Sequence, residues 1–429
     1  MINYDYNRTY FVYLYYFYYN RNFMIQREGY IKQIAPFIDK PIIKVITGIR
    51  RCGKSTFLKL ICKSLIDNGV KPENILLINK DSLEFDSMTT YKQLVSYVVD
   101  SFKEIEGKKY LFIDEVQEIE GWEKALSGFL TDNTADLFVT GSNSRLLSSE
   151  LATYISGRYV EFKLYTLTFS EFLMFRNVSE PEKMESEFLL FMRYGGFPGI
   201  HRMEYDDEVI EQYVSSIYST ILLKDVVARN GLRDIVLLER IAKFTADNCG
   251  NITSSKKIAD FLKSQKIKGS VDTVQSYLNM LTSAYIFHKV NRFDLKGKRL
   301  LEIHEKYYTG DVGLKHNLLG YKMNDISRHL ENIVYLELLS RGYKVHIGKL
   351  NDLEIDFIAT KSNQQIYLQV AYLLADAKTI EREFGALEKI TDNYPKIVLS
   401  LDKFLDSNRN GIRWFNLIDF LKLDQWIGF

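Results

Sequence analysis

Short apolar runs alternate with segments of helical periodicity in the first part of the chain after Met24. The run "PIIKVIT" (41–47) predicts a buried strand, and apolar residues recur at helical spacing in the segment 54–69 that follows it. Four further runs predict strands: "NILLIN" (74–79), "KKYLFIDEV" (108–116), "ADLFVTGS" (135–142) and "GRYVEFKLYTL" (157–167). Apolar strands that alternate with helices are typical of a parallel sheet covered on both faces. We therefore predict a parallel α/β domain over residues 24–167.

The pattern changes near Thr168, where apolar residues take a spacing of 3.6 residues and strand-like runs disappear. Two later segments, "TSSKKIADFLKSQ" and "SVDTVQSYLNMLTSAYI", predict a pair of helices that begin at Ser or Thr caps. The segment that follows, "FHKVNRFDLKGKRLLEIHEKYYTGD", predicts a β-hairpin with a Gly-Lys turn. Two helices followed by a hairpin are typical of a winged helix. We predict a helical and winged-helix region over residues 168–327.

A third pattern covers residues 328–429. A helical segment, "HLENIVYLELLSRG", precedes the strand-like runs "YKVHIGKL", "EIDFIAT" and "QIYLQVAY". A second helical segment, "AKTIEREFGALEKI", and the run "KIVLSL" then follow. This order predicts a small second α/β domain at the end of the chain.

The first 23 residues differ from the rest, since they consist almost entirely of Tyr, Phe and Asn and have no helical or strand periodicity. Codons for these amino acids are rich in A and T, so upstream non-coding DNA read in frame would give such a segment. We predict that translation starts at Met24 and that residues 1–23 are a non-native extension outside the fold.

Length, net charge and cysteine content exclude several classes of protein. A chain of 429 residues is long enough for two or three domains, and a formal net charge of +1 excludes a polycationic nucleic-acid binder while leaving room for a local basic surface. Three cysteines in so long a chain indicate reduced thiols rather than a disulfide framework. No apolar stretch approaches the roughly 18 residues of a membrane helix. We predict a cytoplasmic protein that is not inserted in a membrane.

The segment "GIRRCGKS" (48–55) fits the phosphate-loop pattern G-x-x-x-x-G-K-[ST] and lies between a predicted strand and a predicted helix. Gly48 and Gly53 allow backbone N–H groups to surround phosphates, and the helix N-terminus adds positive potential. Lys54 is expected at the β- and γ-phosphates of ATP, and the Ser55 hydroxyl at Mg²⁺. We also assign three neighbouring loop residues to nucleotide binding: Arg51, Cys52 and Thr56.

Two acidic residues end the strand "YLFIDEV", at the edge of a parallel sheet where ligands bind. Asp114 suits a Mg²⁺ ligand, and Glu115 suits the base that polarises the attacking water. Such a pair alone would more often belong to an ordinary solvated loop. Its position about sixty residues after a phosphate loop favours the catalytic interpretation.

Three weaker candidates accompany these residues. Asn143 or Ser142, after the strand "LFVTGS", could contact the γ-phosphate or the water, although a simple Ser/Asn turn is the alternative. Arg158 could stabilise transition-state charge in the same chain or from a neighbouring subunit, or it could tie the sheet to the helical region. The loop pattern gives Arg50 and Arg51 no defined role of their own: they could contact phosphate, as assigned above for Arg51, or anchor the loop to neighbouring acids.

Four segments make the chain resemble a large group of bacterial and archaeal AAA-type ATPases: "ITGIRRCGKSTFL", "LFIDEVQEIEGWEKAL", "VTGSNSRLLSSELATYISGRYVEFKLYTLTFSEFL" and "RYGGFP". The resemblance runs from about Met24 to the end of the chain. It implies ATP binding, with Lys54, Ser55, Asp114 and Glu115 in the standard roles and Asn143 at the sensor position. Those ATPases carry a C-terminal region of uncharacterised function.

The last domain resembles the restriction-endonuclease-like fold. The resemblance places Glu331 on the first helix and Asp356 at a strand end, whereas Gln369 and Ala371 stand where an acid and a lysine are usual. Because metal-dependent cleavage needs carboxylates and usually a lysine, we expect a non-catalytic descendant, and an ATP-regulated nuclease is the lesser alternative.

We predict Mg²⁺-dependent ATP hydrolysis coupled to conformational switching. Five lysines in and after the first predicted helix of the winged-helix pair suit phosphate contacts: Lys256, Lys257, Lys263, Lys266 and Lys268. A solvated lysine face, or a winged helix that binds protein, explains them equally well. A DNA-associated ATPase and an ATP-gated switch with a protein partner, or with a second copy of the chain, therefore both stay open.

Overall fold

The computed structural model describes residues 26–144, 155, 157–203, 205–321, 325–403 and 407–423. The predicted extension over residues 1–23 and the predicted start at Met24 lie outside the described residues. Within the described part of the chain, no helix is long and apolar enough to cross a membrane.

A five-stranded parallel sheet forms the first domain, as the apolar runs predict. Its strands are β1 (Ile43–Thr47), β2 (Ile75–Asn79), β3 (Tyr110–Asp114), β4 (Asp136–Gly141) and β5 (Tyr159–Lys163). The order across the sheet is β2-β3-β4-β1-β5, and every neighbouring pair is parallel. The carboxyl ends of β3, β4 and β1 therefore lie side by side at one edge.

Helices cover both faces of this sheet: α1 (Glu28–Ile34), α2 (Lys54–Asp67), α3 (Tyr91–Phe102) and α4 (Trp122–Thr131). Because side chains alternate along a strand, Phe112 of β3 packs into one apolar core while Leu111 and Ile113 pack into another. The first of these cores continues into the helical region, so the sheet and the helices after it share buried side chains.

The middle of the chain is helical, as predicted from residue 168 onward. Its helices are α5 (Phe169–Arg176), α6 (Met184–Tyr194), α7 (Asp207–Thr220), α8 (Ile235–Asp247), α9 (Ser255–Ser264) and α10 (Val271–Ser283). A π-helix (Ile221–Ala228) continues α7. The predicted Ser caps are present, since the Ser254 and Ser270 side chains accept hydrogen bonds from backbone N–H groups three residues later.

The predicted hairpin consists of β6 (Phe287–Asp294) and β7 (Arg299–Thr309) and is followed by α11 (Val312–Leu319) and α12 (Ile326–Ser340). The remaining elements are β8 (Lys344–Leu350), β9 (Leu353–Lys361), β10 (Gln364–Val370), α13 (Ala377–Glu388), β11 (Lys396–Ser400), β12 (Ser407–Arg409), β13 (Ile412–Asn416) and α14 (Leu417–Lys422).

One mixed sheet joins the hairpin to the last part of the chain, in the order β12-β13-β11-β10-β9-β8-β6-β7. The junction is a parallel pairing of β6 with β8, which aligns Arg292 with Ile347. This sheet crosses the boundary predicted between residues 327 and 328. That boundary and the winged-helix assignment stay predictions.

Candidate nucleotide site

The loop 48–55 connects the carboxyl end of β1 to α2 and has the close backbone packing that its two glycines allow. Gly48 has φ +153°, and a Cβ there would lie 2.1 Å from the carbonyl oxygen of Leu164. Gly53 has φ +104°, in the region that side-chain-bearing residues rarely adopt, and precedes the first residue of α2. Steric exclusion therefore requires glycine at position 48, whereas the backbone conformation favours it at position 53.

Lys54 lies at the start of α2 and is almost completely buried. Its ammonium donates hydrogen bonds to the carbonyl oxygens of Gly48 (3.1 Å) and Ile49 (3.3 Å), and its Nζ lies 3.8 Å from Oε1 of Glu115. The next residue, Ser55, is exposed and donates a hydrogen bond to the carboxylate of Asp114. The structure therefore brings these loop residues together with both acids of β3.

The two acids sit at the end of β3 and are fixed by a threonine of the adjacent strand. Thr140 of β4 donates its hydroxyl hydrogen to Oδ1 of Asp114 and accepts a hydrogen bond from the backbone N–H of Glu115 at 2.9 Å. Burial raises the pKa of Asp114 above its ordinary value, while the hydrogen bonds from Ser55 and Thr140 act in the opposite direction. Glu115 has φ +53°, a strained conformation for this residue type, and Gln117 donates to its Oε2.

The residues after β4 face the helical region as well as the sheet edge. Asn143 is buried, and its Nδ2 donates to the backbone carbonyl of Asp225 at 3.3 Å. The Ser142 hydroxyl donates to Oδ1 of Asp225 at 3.0 Å. Arg50, which could contact phosphate or anchor the loop to an acid, forms an ion pair with the same carboxylate, with Nε 3.0 Å from Oδ2.

The three other predicted loop residues take different positions. Arg51 is exposed, with φ +69°, and Thr56 is half-buried in the first turn of α2. Cys52 is completely buried, and burial raises the pKa of its thiol. The carbonyl of Cys52 accepts a hydrogen bond from Arg27 at 3.3 Å, so this residue contributes through its backbone and its packing.

Arg158 lies away from the other predicted catalytic residues of the same chain. It precedes β5, and its carbonyl accepts a hydrogen bond from the N–H of Ile43 at the first residue of β1. The loop 48–55 follows the other end of β1, roughly 13 Å further along the strand at about 3.3 Å per residue. A role for Arg158 within its own chain therefore lacks geometric support, and a contact from a neighbouring subunit stays a prediction.

In the C-terminal sheet, the structure supplies a lysine that the sequence pattern did not indicate. Lys306 of β7 is buried, and its Nζ lies 2.8 Å from Oε1 of Glu354 and 3.5 Å from Oε2 of Glu331. Asp356 is buried nearby, with its pKa raised by burial and by Glu331, and its backbone N–H donates to Oε1 of Gln369 at 3.0 Å. Ala371 is buried in apolar packing and stays without a catalytic role.

The chain therefore places one ammonium among these carboxylates from a different strand of the sheet. Among the described residues, no group of three or more His, Cys, Asp or Glu side chains is arranged to hold a metal ion. The five lysines predicted to contact phosphates, by contrast, are all exposed on α9 and the turn that follows it.

Thr140, Asp225 and Lys306 are functional candidates that the sequence reasoning missed. Thr140 had a local signal, because it is a polar residue in an otherwise apolar strand one position before "GSNS". Asp225 and Lys306 had none. Both reach their partners only through contacts between segments that are distant along the chain.

Comparison with known proteins agrees with this geometry. A family model described as an AAA domain matches residues 40–173, and one described as a domain of unknown function matches residues 185–325. An uncharacterized protein of Haemophilus influenzae is 37% identical over 399 residues, which cover 93% of this chain and 98% of that protein. Uncharacterized protein MJ1544 of Methanocaldococcus jannaschii is 32% identical over 369 residues, covering 81% of this chain and 78% of that protein.

Among solved structures, the Walker-type ATPase PABY2304 of Pyrococcus abyssi is similar over 68% of this chain and 94% of its own, with 15% identity and a TM-score of 0.48. The parallel sheet, the phosphate loop and the acids of β3 define a P-loop ATPase fold. The chain belongs to the AAA-type family of P-loop ATPases, and it is related over most of its length to the two uncharacterized proteins from Haemophilus and Methanocaldococcus.

Proposed function

We propose that the protein is an ATPase that hydrolyses ATP in the presence of Mg²⁺ and couples this reaction to a change in its helical region. One observation carries the proposal. Lys54, Asp114, Glu115 and Asn143 lie at or just after the carboxyl ends of three adjacent parallel strands, on one edge of the sheet. Ligands of open α/β sheets bind at this edge.

The positions of these residues indicate which of them would bind the phosphates, accept the proton and orient the water. Backbone N–H groups of the loop 48–53 and the ammonium of Lys54 would hold the phosphates. Phosphate oxygens would then take the place of the Gly48 and Ile49 carbonyl oxygens as hydrogen-bond acceptors for Lys54. Glu115 would accept a proton from water as the water oxygen bonds to the γ-phosphorus. The bond from phosphorus to the β–γ bridging oxygen breaks, and ADP and phosphate leave. Asn143 would orient the water or the γ-phosphate.

Ser55 and Asp114 fit a magnesium ion that binds together with a nucleotide. Such an ion takes only one or two protein ligands beside phosphate oxygens and waters, and Ser55 and Asp114 already contact each other through hydroxyl and carboxylate. When bound, Mg²⁺ supplies positive charge that neutralises phosphate oxygens. Ser55 and Asp114 are the residues that would hold it.

Nucleotide binding tests the first half of the proposal. Lys54→Ala should lose most ATP affinity in isothermal titration calorimetry, because this buried lysine at the start of α2 is the residue that contacts the β- and γ-phosphates in a phosphate loop. Lys59→Ala, one turn and a half further along the same helix, is the matched control and should bind normally. Unchanged ATP affinity in Lys54→Ala would contradict the loop assignment.

We further propose that DNA is a partner of this ATPase. A groove of about 560 Å³ between α9 and α10 is lined by Lys263, Lys266 and Lys268, and one acidic residue, Asp260, also lines it. These three lysines and Lys256 are all exposed, so their charge is accessible to phosphates. A cytoplasmic location stays a prediction.

Gel shifts on duplex DNA over a salt series, with and without ATP, test this partner. Substituting the three groove lysines by Gln should lower the slope of log affinity against log salt by about 2 to 3. The control is a triple Gln variant at exposed lysines that already pair with glutamates, namely Lys32, Lys183 and Lys403. No binding, and no effect of DNA on the ATPase rate, would favour an ATP-gated switch with a protein partner.

Plasmid cleavage that the wild type performs and that Asp356→Ala abolishes would instead support the nuclease alternative.

A further inference from the structure

A single buried carboxylate in the helical region holds two of the strand-end loops of the nucleotide site. Asp225 is 1% exposed and lies in the π-helix that continues α7. Its Oδ2 accepts a hydrogen bond from Nε of Arg50 at 3.0 Å, in the loop after β1. Its Oδ1 accepts from the Ser142 hydroxyl at 3.0 Å, and its backbone carbonyl accepts from Nδ2 of Asn143.

Two guanidinium groups lie close to the single carboxylate of Asp225. One belongs to Arg50, and the other belongs to Arg229, one turn later, whose NH2 group lies 3.4 Å from Oδ1. The same NH2 group lies 3.5 Å from Oγ of Ser142 and 3.9 Å from Oε1 of Glu118, three residues after Glu115. Loss of the Asp225 charge would leave both arginines without their buried counter-charge and would release the two loops from each other.

The local backbone also sets this position apart. A π-helical turn is rare, and such turns occur frequently at functional sites. Asp225 lies within this π-helix and Arg229 directly after it, and both contact residues at the carboxyl edge of the sheet, where the predicted catalytic residues lie.

We propose that Asp225 is a positioning residue for ATP hydrolysis: it fixes Arg50 of the loop 48–55 and the Ser142–Asn143 turn in one arrangement. The inference rests on the proposed ATPase function and extends it to a residue outside the ATPase motifs. Asp225 does not touch Lys54, Ser55 or Asp114, so its role concerns the geometry of the reaction more than the affinity for nucleotide.

The test compares Asp225→Asn with wild type and with Asp207→Asn, a matched change at an exposed position on α7. We expect kcat to fall about tenfold to hundredfold in Asp225→Asn, because a displacement of the order of 1 Å costs that much. The equilibrium Kd for ATP should stay within about threefold. Without nucleotide, hydrogen exchange of backbone amides in 48–53 and 142–144 should become faster, and Asp207→Asn should behave as wild type in each measurement.

A double-mutant cycle separates positioning from general destabilisation. If Arg50 acts through Asp225, Arg50→Gln combined with Asp225→Asn should lose about as much kcat as Asp225→Asn alone, since the interaction between the two residues is already absent. Full additivity of the two losses overturns the inference, and so does an Asp225→Asn variant with wild-type kcat. A wild type that binds ATP without turnover overturns the proposed function together with the inference, so the two failures are distinguishable.

Discussion

The buried arginine before α1 provides a quantitative test of how the phosphate loop is held to the helical region. Arg27 donates from Nε and NH2 to the two carboxylate oxygens of Glu171, each at 2.8 Å. Its guanidinium also donates to the backbone carbonyls of Cys52, Tyr165 and Thr166, at 3.0 to 3.3 Å. Arg27 is only 6% exposed, so Arg27→Met would leave Glu171 as a buried charge and three carbonyls without this donor. Removing one member of a buried pair costs about 3–5 kcal/mol.

Equilibrium urea unfolding at neutral pH measures this cost. We expect Arg27→Met to lower the free energy of unfolding by about 3–5 kcal/mol. Adding Glu171→Gln should recover part of the loss, since the uncompensated charge is then removed. Arg193→Met, which breaks an exposed pair with Asp207, is the control and should cost much less. The reasoning is refuted if Arg27→Met costs no more than this control, or if the second substitution destabilises the protein further.

Three other predictions follow from single sites. Gly48→Ala should weaken ATP binding at least about tenfold, because the added Cβ would meet the Leu164 carbonyl and displace the loop; normal affinity in titration would contradict this. Burial raises the pKa of Asp311 from 3.8 to about 6, so the folded state binds the proton more tightly. Unfolding free energy should then fall by about 3 kcal/mol in all as pH rises from below 3.8 to well above 6, and urea titrations of Asp311→Asn should lack that fall. Lys306→Met should cost about 3–5 kcal/mol in urea unfolding at pH 7 and less near pH 4, where Glu331 is protonated; equal costs at the two pH values would count against the ion-pair interpretation.

The phosphate loop and the sheet could be predicted because their information is local. Strand β3, for example, is a run of apolar residues that ends in Asp114 and Glu115, and parallel pairing then fixes the edge at which both acids lie. Helix starts were equally accessible, since Ser254 and Ser270 cap α9 and α10 through bonds to residues three positions later.

Pairings between distant segments could not be predicted in this way. Strand β6 pairs with β8 more than fifty residues later, and nothing in either apolar run specifies that partner. Lys306 is one residue of a hairpin rich in lysine, and only the fold brings it to Glu331 and Glu354. The role of Arg50 depends likewise on Asp225, 175 positions further along the chain. Hydrophobic periodicity predicts one helix or strand at a time, whereas these contacts depend on the complete tertiary structure.

The most direct test of the central claim is phosphate release in a single turnover, with wild type and Glu115→Gln both loaded with ATP and Mg²⁺. Glu115 faces the ammonium of Lys54 at 3.8 Å, and its amide replacement keeps the shape of the side chain while removing the proton acceptor. We predict that both proteins bind ATP with similar affinity and that phosphate release by Glu115→Gln is slower by about two orders of magnitude or more. Phosphate release by Glu115→Gln at the wild-type rate, or no release by the wild type, would contradict the account.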